Sequence, residues 1–155
     1  MATFPSRTAQ WIWTDNNYMS APAPYMVSFY IKFTYNGGNI LGMNSPVGSP
    51  VSNAIMTVSV DNVAKVVIEN SNNSFAKENI QGWNVNSFAV PLVIGDNYIE
   101  IRVSNEGSAP NPAGVIATIQ VNGQSVLDTG SEWSWLPIQN QADWDSTSLT
   151  TCGGI

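Results

Sequence analysis

The chain has 155 residues, 43% of them hydrophobic, a formal net charge of −6 and no histidine. That length supports one compact domain. Five Lys and Arg residues are too few to build a basic track along a phosphate backbone, which excludes nucleic acid as a partner, and a lone cysteine, Cys152, without histidine excludes a zinc site of the usual nitrogen and sulfur ligands. Charged residues make up only 10% of the chain, against roughly 25% in average soluble proteins. The deficit is filled by Asn, Ser, Thr, Gly and Pro, so the surface is expected to act through hydrogen bonds more than through charge.

The opening segment MATFPSRTAQWIWTDNN turns polar and aromatic at once and does not read as a secretory leader. No apolar run approaches the roughly 18 residues that a membrane helix needs, so membrane insertion is not expected. Met26 to Tyr35 alternates Val27, Phe29, Ile31, Phe33 and Tyr35 against Ser28, Lys32 and Thr34, the pattern of a strand with one face in a core and one in water. Ala54 to Val60 alternates in the same way, as does Ala64 to Glu69. The Asp61-Asn62 pair between them is expected to close a hairpin. Asn73 to Ile80 has room for one short helical turn.

Phe88 to Ile94 and Tyr98 to Val103 are expected to be strands joined at Gly95-Asp96-Asn97, with Ile99, Ile101 and Val103 inward and Glu100 and Arg102 in water. Val115 to Val121 and Ser125 to Leu127 flank Asn122-Gly123, the strongest short hairpin signal in the chain. The count is seven or eight strands. The longest loops are expected at residues 36–53, 70–84 and 106–114, where function in a sandwich usually resides. The fold class is all-β, a two-sheet antiparallel β-sandwich or jelly roll. Residues 1–136 form the sandwich, and residues 137–155, polar and without a pattern, form an irregular C-terminal arm.

Taken in order, Ala9-Gln10-Trp11-Ile12-Trp13, the strand FYIKFTY, VSVDN leading into VVIEN, VPLVIGDNYIEIRVSN, a Pro-Ala-Gly segment and a Ser/Thr-rich turn into Trp133 resemble the galactose-binding-domain-like jelly rolls. These accompany bacterial rhamnosidases and β-galactosidase-type glycoside hydrolases. The resemblance runs from about Ala9 to Trp135. It implies that Asp61 and Asn62 turn the chain, that Gly95 to Asn97 joins two strands, and that Trp11, Trp13 and Trp133 pack. Relatives carry a Tyr-x-Asn-Gly turn where this chain reads Ile68-Glu69-Asn70-Ser71.

Six tryptophans raise the question of carbohydrate, whose apolar face stacks on an exposed ring while amides and carboxylates bond its hydroxyls. Core packing is the expectation for Trp11 and Trp13 and for Trp133 and Trp135. Trp83 follows Gln81-Gly82 in an expected loop, so Trp83 with Asn84 and Asn86 is the candidate sugar site. Trp144, between Asp143 and Asp145, is the candidate partner-contact site, as an anchor on the protein's own body or on a neighbour. Asp143 and Asp145 also make a structural calcium the one metal the residue set admits, although no EF-hand pattern is present. The lone sequon, Asn72-Asn73-Ser74, is a chance-level match in so Asn-rich a chain.

No catalytic residues are expected. A serine or cysteine nucleophile lacks a histidine base, and the spacing of Glu69, Glu78, Glu100, Glu106 and Glu132 singles out no pair for glycoside hydrolysis. The leading expectation is a non-enzymatic assembly or recognition protein on an extracellular surface, that of a virion above all, with other subunits as partners. The alternative is a carbohydrate-binding module, with glycan as partner, possessed by itself or as the accessory domain of a glycoside hydrolase.

Overall fold

The computed structural model describes residues 4–15, 18–37, 45–82 and 84–149. Nine strands are described: β1 (Tyr25–Tyr35), β2 (Ala54–Asp61), β3 (Val63–Asn70), β4 (Ser74–Gln81), β5 (Asn86–Ala89), β6 (Gly95–Asn105), β7 (Gly114–Val121), β8 (Gln124–Asp128) and β9 (Ser134–Pro137), with one short helix, α1 (Gln141–Asp145). They form a five-stranded sheet in the order β4-β3-β6-β1-β9 and a four-stranded sheet in the order β5-β2-β7-β8. Every pairing is antiparallel.

The period-2 pattern puts Val27, Phe29, Val66, Ile68, Ile99, Ile101 and Val103 on the inner face of the first sheet. Met56, Val58, Val60, Val115, Ala117 and Ile119 line the inner face of the second, and all are buried together. Each Val or Ile taken out of water there contributes about 1.5–3 kcal/mol. The Asn122-Gly123 hairpin forms as expected, joining β7 to β8 with φ of 51° and 82°, the doubly positive geometry for which that dipeptide is suited.

Three local expectations are overturned. The segment expected at 73–80 falls in strand β4 from Ser74 onward, paired to β3, not in a helical turn, because it completes the edge of the larger sheet. Asp61-Asn62 does not close a hairpin: β2 pairs with β5 and β7, whereas β3 pairs with β4 and β6. The chain crosses between sheets there, held by Asn62, whose amide nitrogen donates to Asp61 (2.7 Å) and whose side-chain oxygen accepts from the Glu106 N–H (2.7 Å). Gly95-Asp96-Asn97 is likewise the start of β6 after a crossing from β5, and Val90, Leu92, Val93 and Ile94 of the crossing are buried. The fully buried Asn97 organises it, donating to the carbonyls of Val93 (3.0 Å) and Gly95 (3.2 Å) and accepting from the Val93 N–H.

The fourth correction concerns charge. Glu100 and Arg102 do not face water; both are 0% exposed, and Ser28 and Lys65 beside them are buried too. The C-terminal arm lies over this outer face. Arg102 donates to Glu100 Oε1 (2.9 Å) and to the carbonyls of Trp144, Ser146 and Ser148, while Ser28 donates to Glu100 Oε2. Lys65 Nζ donates to the Asp145 carbonyl (2.9 Å) and pairs with Glu78 (2.9 Å), and the Leu149 N–H donates to Glu69. A guanidinium carries five donors and the backbone of the arm carries unpaired carbonyls, so the two terminal nitrogens of Arg102 are satisfied by those carbonyls and Glu100, while its Nε has no partner among the described residues.

Removing one partner of a buried ion pair leaves the other charged and unpaired, at a cost of about 3–5 kcal/mol. Arg102→Ala is therefore expected to destabilise the fold by at least about 3 kcal/mol in urea unfolding, and the double variant Glu100→Gln, Arg102→Met to recover part of the loss. Equal stability of Arg102→Ala and the unaltered protein would contradict the clasp.

Candidate functional site

The N-terminal segment extends the smaller sheet without belonging to a named strand. Ile12 and Val115 exchange backbone hydrogen bonds (2.9 and 3.2 Å), and the Gln10 N–H donates to the Thr129 carbonyl (2.9 Å). The Thr129 hydroxyl fastens the same place, donating to the Gln10 carbonyl (2.7 Å) and accepting from the Ala117 N–H. This pins the odd-numbered Trp11 and Trp13 beside the edge of the sandwich. A Cβ on Gly114 would stand 3.3 Å from the Trp11 ring, so the absent side chain is what lets the indole lie close over β7.

Between this segment, the Tyr18–Ser20 turn, the end of β2 and the stretch entering β9 lies a cleft of about 780 Å³. That is within the range of small-molecule sites. Trp11, Trp13, Tyr18, Trp133 and Trp135 line it, together with Gln10, Asp15, Asp61 and Ser131. The rings differ in what they are committed to. Trp13 packs edge-on against Tyr25 and tilted on Phe29, and Trp133 is buried with its indole N–H donating to the Asp128 carbonyl (3.0 Å). Trp11 is 49% exposed and Trp135 41% exposed. The packing expected of all four tryptophans thus holds for Trp13 and Trp133 and fails for Trp11 and Trp135, because the edge of the sandwich ends before it can cover them.

Asp61 is the charged group set deepest in the cleft, 7% exposed, and burial pushes its carboxyl above the ordinary aspartate value. Among the described residues, its carboxylate accepts a hydrogen bond from the Asn62 amide, and the buried Trp13 indole N–H has no acceptor.

The residues singled out from the sequence lie elsewhere. Trp83 is outside the described residues, as is Cys152. Asn84 is exposed, with its carbonyl accepting from Ser59 and Asn86, and the Asn86 amide nitrogen is spent on the carbonyls of Val58 (3.2 Å) and Asn84 (2.8 Å). Gly82 nevertheless adjoins the cleft's corner, since its N–H donates to the Asn62 carbonyl (3.0 Å). Trp144 is half-buried on the arm. Asp143 and Asp145 are exposed: the Asp143 N–H is capped by Asn140, and the Asp145 carboxylate accepts from Gln141. No group of three or more potential metal ligands occurs among the described residues, and no described helix is long and apolar enough to cross a membrane. Reasoning from sequence missed Asp61 as a site residue, because a turn-forming pair and a cleft carboxylate carry the same two letters.

No protein-family model matches the chain, and no curated protein matches it in sequence. Solved structures do match in fold. An apo lectin of Pleurotus ostreatus superposes over 94% of this chain with a TM-score of 0.60 and 19% identity. A Pleurotus ostreatus lectin in complex with GalNAc superposes over 83% (TM-score 0.56, 21% identity), and a GH78 rhamnosidase of Bacillus sp. GL1 over 84% (TM-score 0.55, 18% identity). The chain spans 41%, 36% and 13% of those three chains.

The elevated Asp61 carboxyl sets a sign for stability. Its folded form holds the proton to higher pH than the unfolded chain does, so stability falls as pH rises from the ordinary aspartate range through the folded value, and the penalty is complete above it. Asp61→Asn is expected to be more stable than the unaltered protein at neutral pH, with the difference shrinking on acidification and vanishing below the ordinary aspartate value. Thermal unfolding of both proteins across pH checks this; a constant difference would contradict it. The two antiparallel sheets and these matches show an all-β sandwich that shares its fold with domains of those lectin and rhamnosidase chains.

Proposed function

We propose that the chain is a non-catalytic glycan-binding module acting outside the cell, with the Trp11 and Trp135 cleft as its sugar site. The observation that carries this reading is the pair of half-exposed indoles lining one cleft with a buried carboxylate. An indole face takes the C–H face of a pyranose, and Asp61, Gln10 and Ser131 offer the acceptors and donors that its hydroxyls require. One structural neighbour is a lectin in complex with GalNAc, which supports sugar as the ligand class. The absence of histidine from the whole sequence supports a binding role over a catalytic one.

No observation favours the virion assembly role. The arm that would dock on a neighbour has the carbonyls of Trp144, Asp145, Ser146 and Ser148 engaged by Arg102 and Lys65 of its own sheet. Asn84 and Asn86, with Trp83 beside them in sequence, enter this reading as candidate contacts for a longer ligand.

Glycan-array screening followed by calorimetry tests the proposal. Trp11→Ala is expected to weaken the best glycan by at least about ten-fold, near 1.4 kcal/mol. Trp144→Ala is expected to leave affinity unchanged, and Trp83→Ala to reduce it only for longer oligosaccharides. Silence across the array from folded protein, or binding indifferent to Trp11→Ala, would sink the reading.

A further inference from the structure

The charge of the cleft is one-sided. Asp61 and Asp15 line it, and no Lys or Arg does. The chain has five cationic residues, and four are placed elsewhere: Lys32 pairs with Asp96, Lys65 and Arg102 hold the arm, and Lys77 sits over the Phe88 ring. Arg7 is not among the lining residues. Six aromatic residues, Trp11, Trp13, Tyr18, Phe29, Trp133 and Trp135, complete the walls. Indole and phenol faces carry negative potential, so rings and carboxylates here have the same electrostatic preference.

A neutral sugar seated over Asp61 would remove more water from a carboxylate that already lacks a cation. An ammonium group would restore what desolvation takes away, by a charge-assisted hydrogen bond and by contact with the rings. We infer that the cleft selects sugars bearing a free ammonium group, 2-amino-2-deoxyhexose units, over their N-acetylated counterparts, with Asp61 as the residue that discriminates. This rests on the glycan-binding reading above and names its ligand class.

The test compares the methyl glycosides of glucosamine and galactosamine with their N-acetyl forms near neutral pH by calorimetry. The expected result is a preference of about ten-fold for the amine in at least one pair, the scale of a hydrogen bond gaining charge. It should disappear in Asp61→Asn and shrink as salt rises. Trp11→Ala, which keeps the net charge, should weaken binding of both forms by at least about ten-fold; amine binding indifferent to it is non-specific attraction to an acidic protein and overturns the inference. Equal affinities, a preference for the N-acetyl form, or an amine preference that persists in Asp61→Asn overturn it too. Should Asp61→Asn fail to fold, a salt-insensitive preference in the unaltered protein overturns it. If only neutral glycans bind, and depend on Trp11, the inference falls while the sugar site stands. If no glycan binds, both fall.

Discussion

The two sheets are held face to face by a shared interior of Val, Ile, Met and Phe, and every other feature is arranged around what that interior leaves uncovered. Among the steps that carry the chain from one sheet to the other are two short ones, at Asn62 and across residues 90–94. Each is stabilised by a side-chain amide standing in for missing ladder bonds: Asn62 at one, Asn97 at the other. A crossing strips strands of partners, and buried backbone groups without partners are costly. Asparagine, with donor and acceptor on one short stem, is suited to that task.

A sandwich has two outer faces, and this one treats its larger outer face unusually. Arg102, Glu100, Lys65 and Ser28 form a polar layer beneath the C-terminal arm, so the described arm beyond Ile138 is held by hydrogen bonds from side chains to its backbone. Such a layer is strong only while every member is satisfied. The arm therefore roofs the polar layer of the larger sheet while its own outer side stays exposed.

That edge cleft arises from incomplete coverage. Residues 10–15 pair briefly with β7, and β9 adds only four residues beside β1. Between two short edge elements, side chains of strand periodicity end up half in the core and half out. Trp13 and Trp133 go in, Trp11 and Trp135 stay out, and Asp61 is drawn in by the crossing that begins at it. The fold resemblance to lectin and rhamnosidase chains concerns the scaffold; the argument for a sugar comes from these rings and this carboxylate.

Alternation along β1, β2, β3, β6 and β7 was legible in the amino-acid order, because side chains of a strand point to opposite faces and apolar ones must meet away from water. It sufficed for the all-β class, the inner-face residues and the Asn122-Gly123 hairpin. It could not say which strands pair, since alternation reads the same in a hairpin as on either side of a sheet crossing, and so Asp61-Asn62 and Gly95-Asp96-Asn97 were misplaced. Nor could it tell a solvated polar face from one roofed by a distant segment, which is why Glu100 and Arg102 looked wet. Residues 40 or more positions apart, such as Arg102 and Trp144 or Trp11 and Gly114, meet only after the chain has folded, and the burial that gives Asp61 and the exposed indoles their chemistry is a property of that meeting.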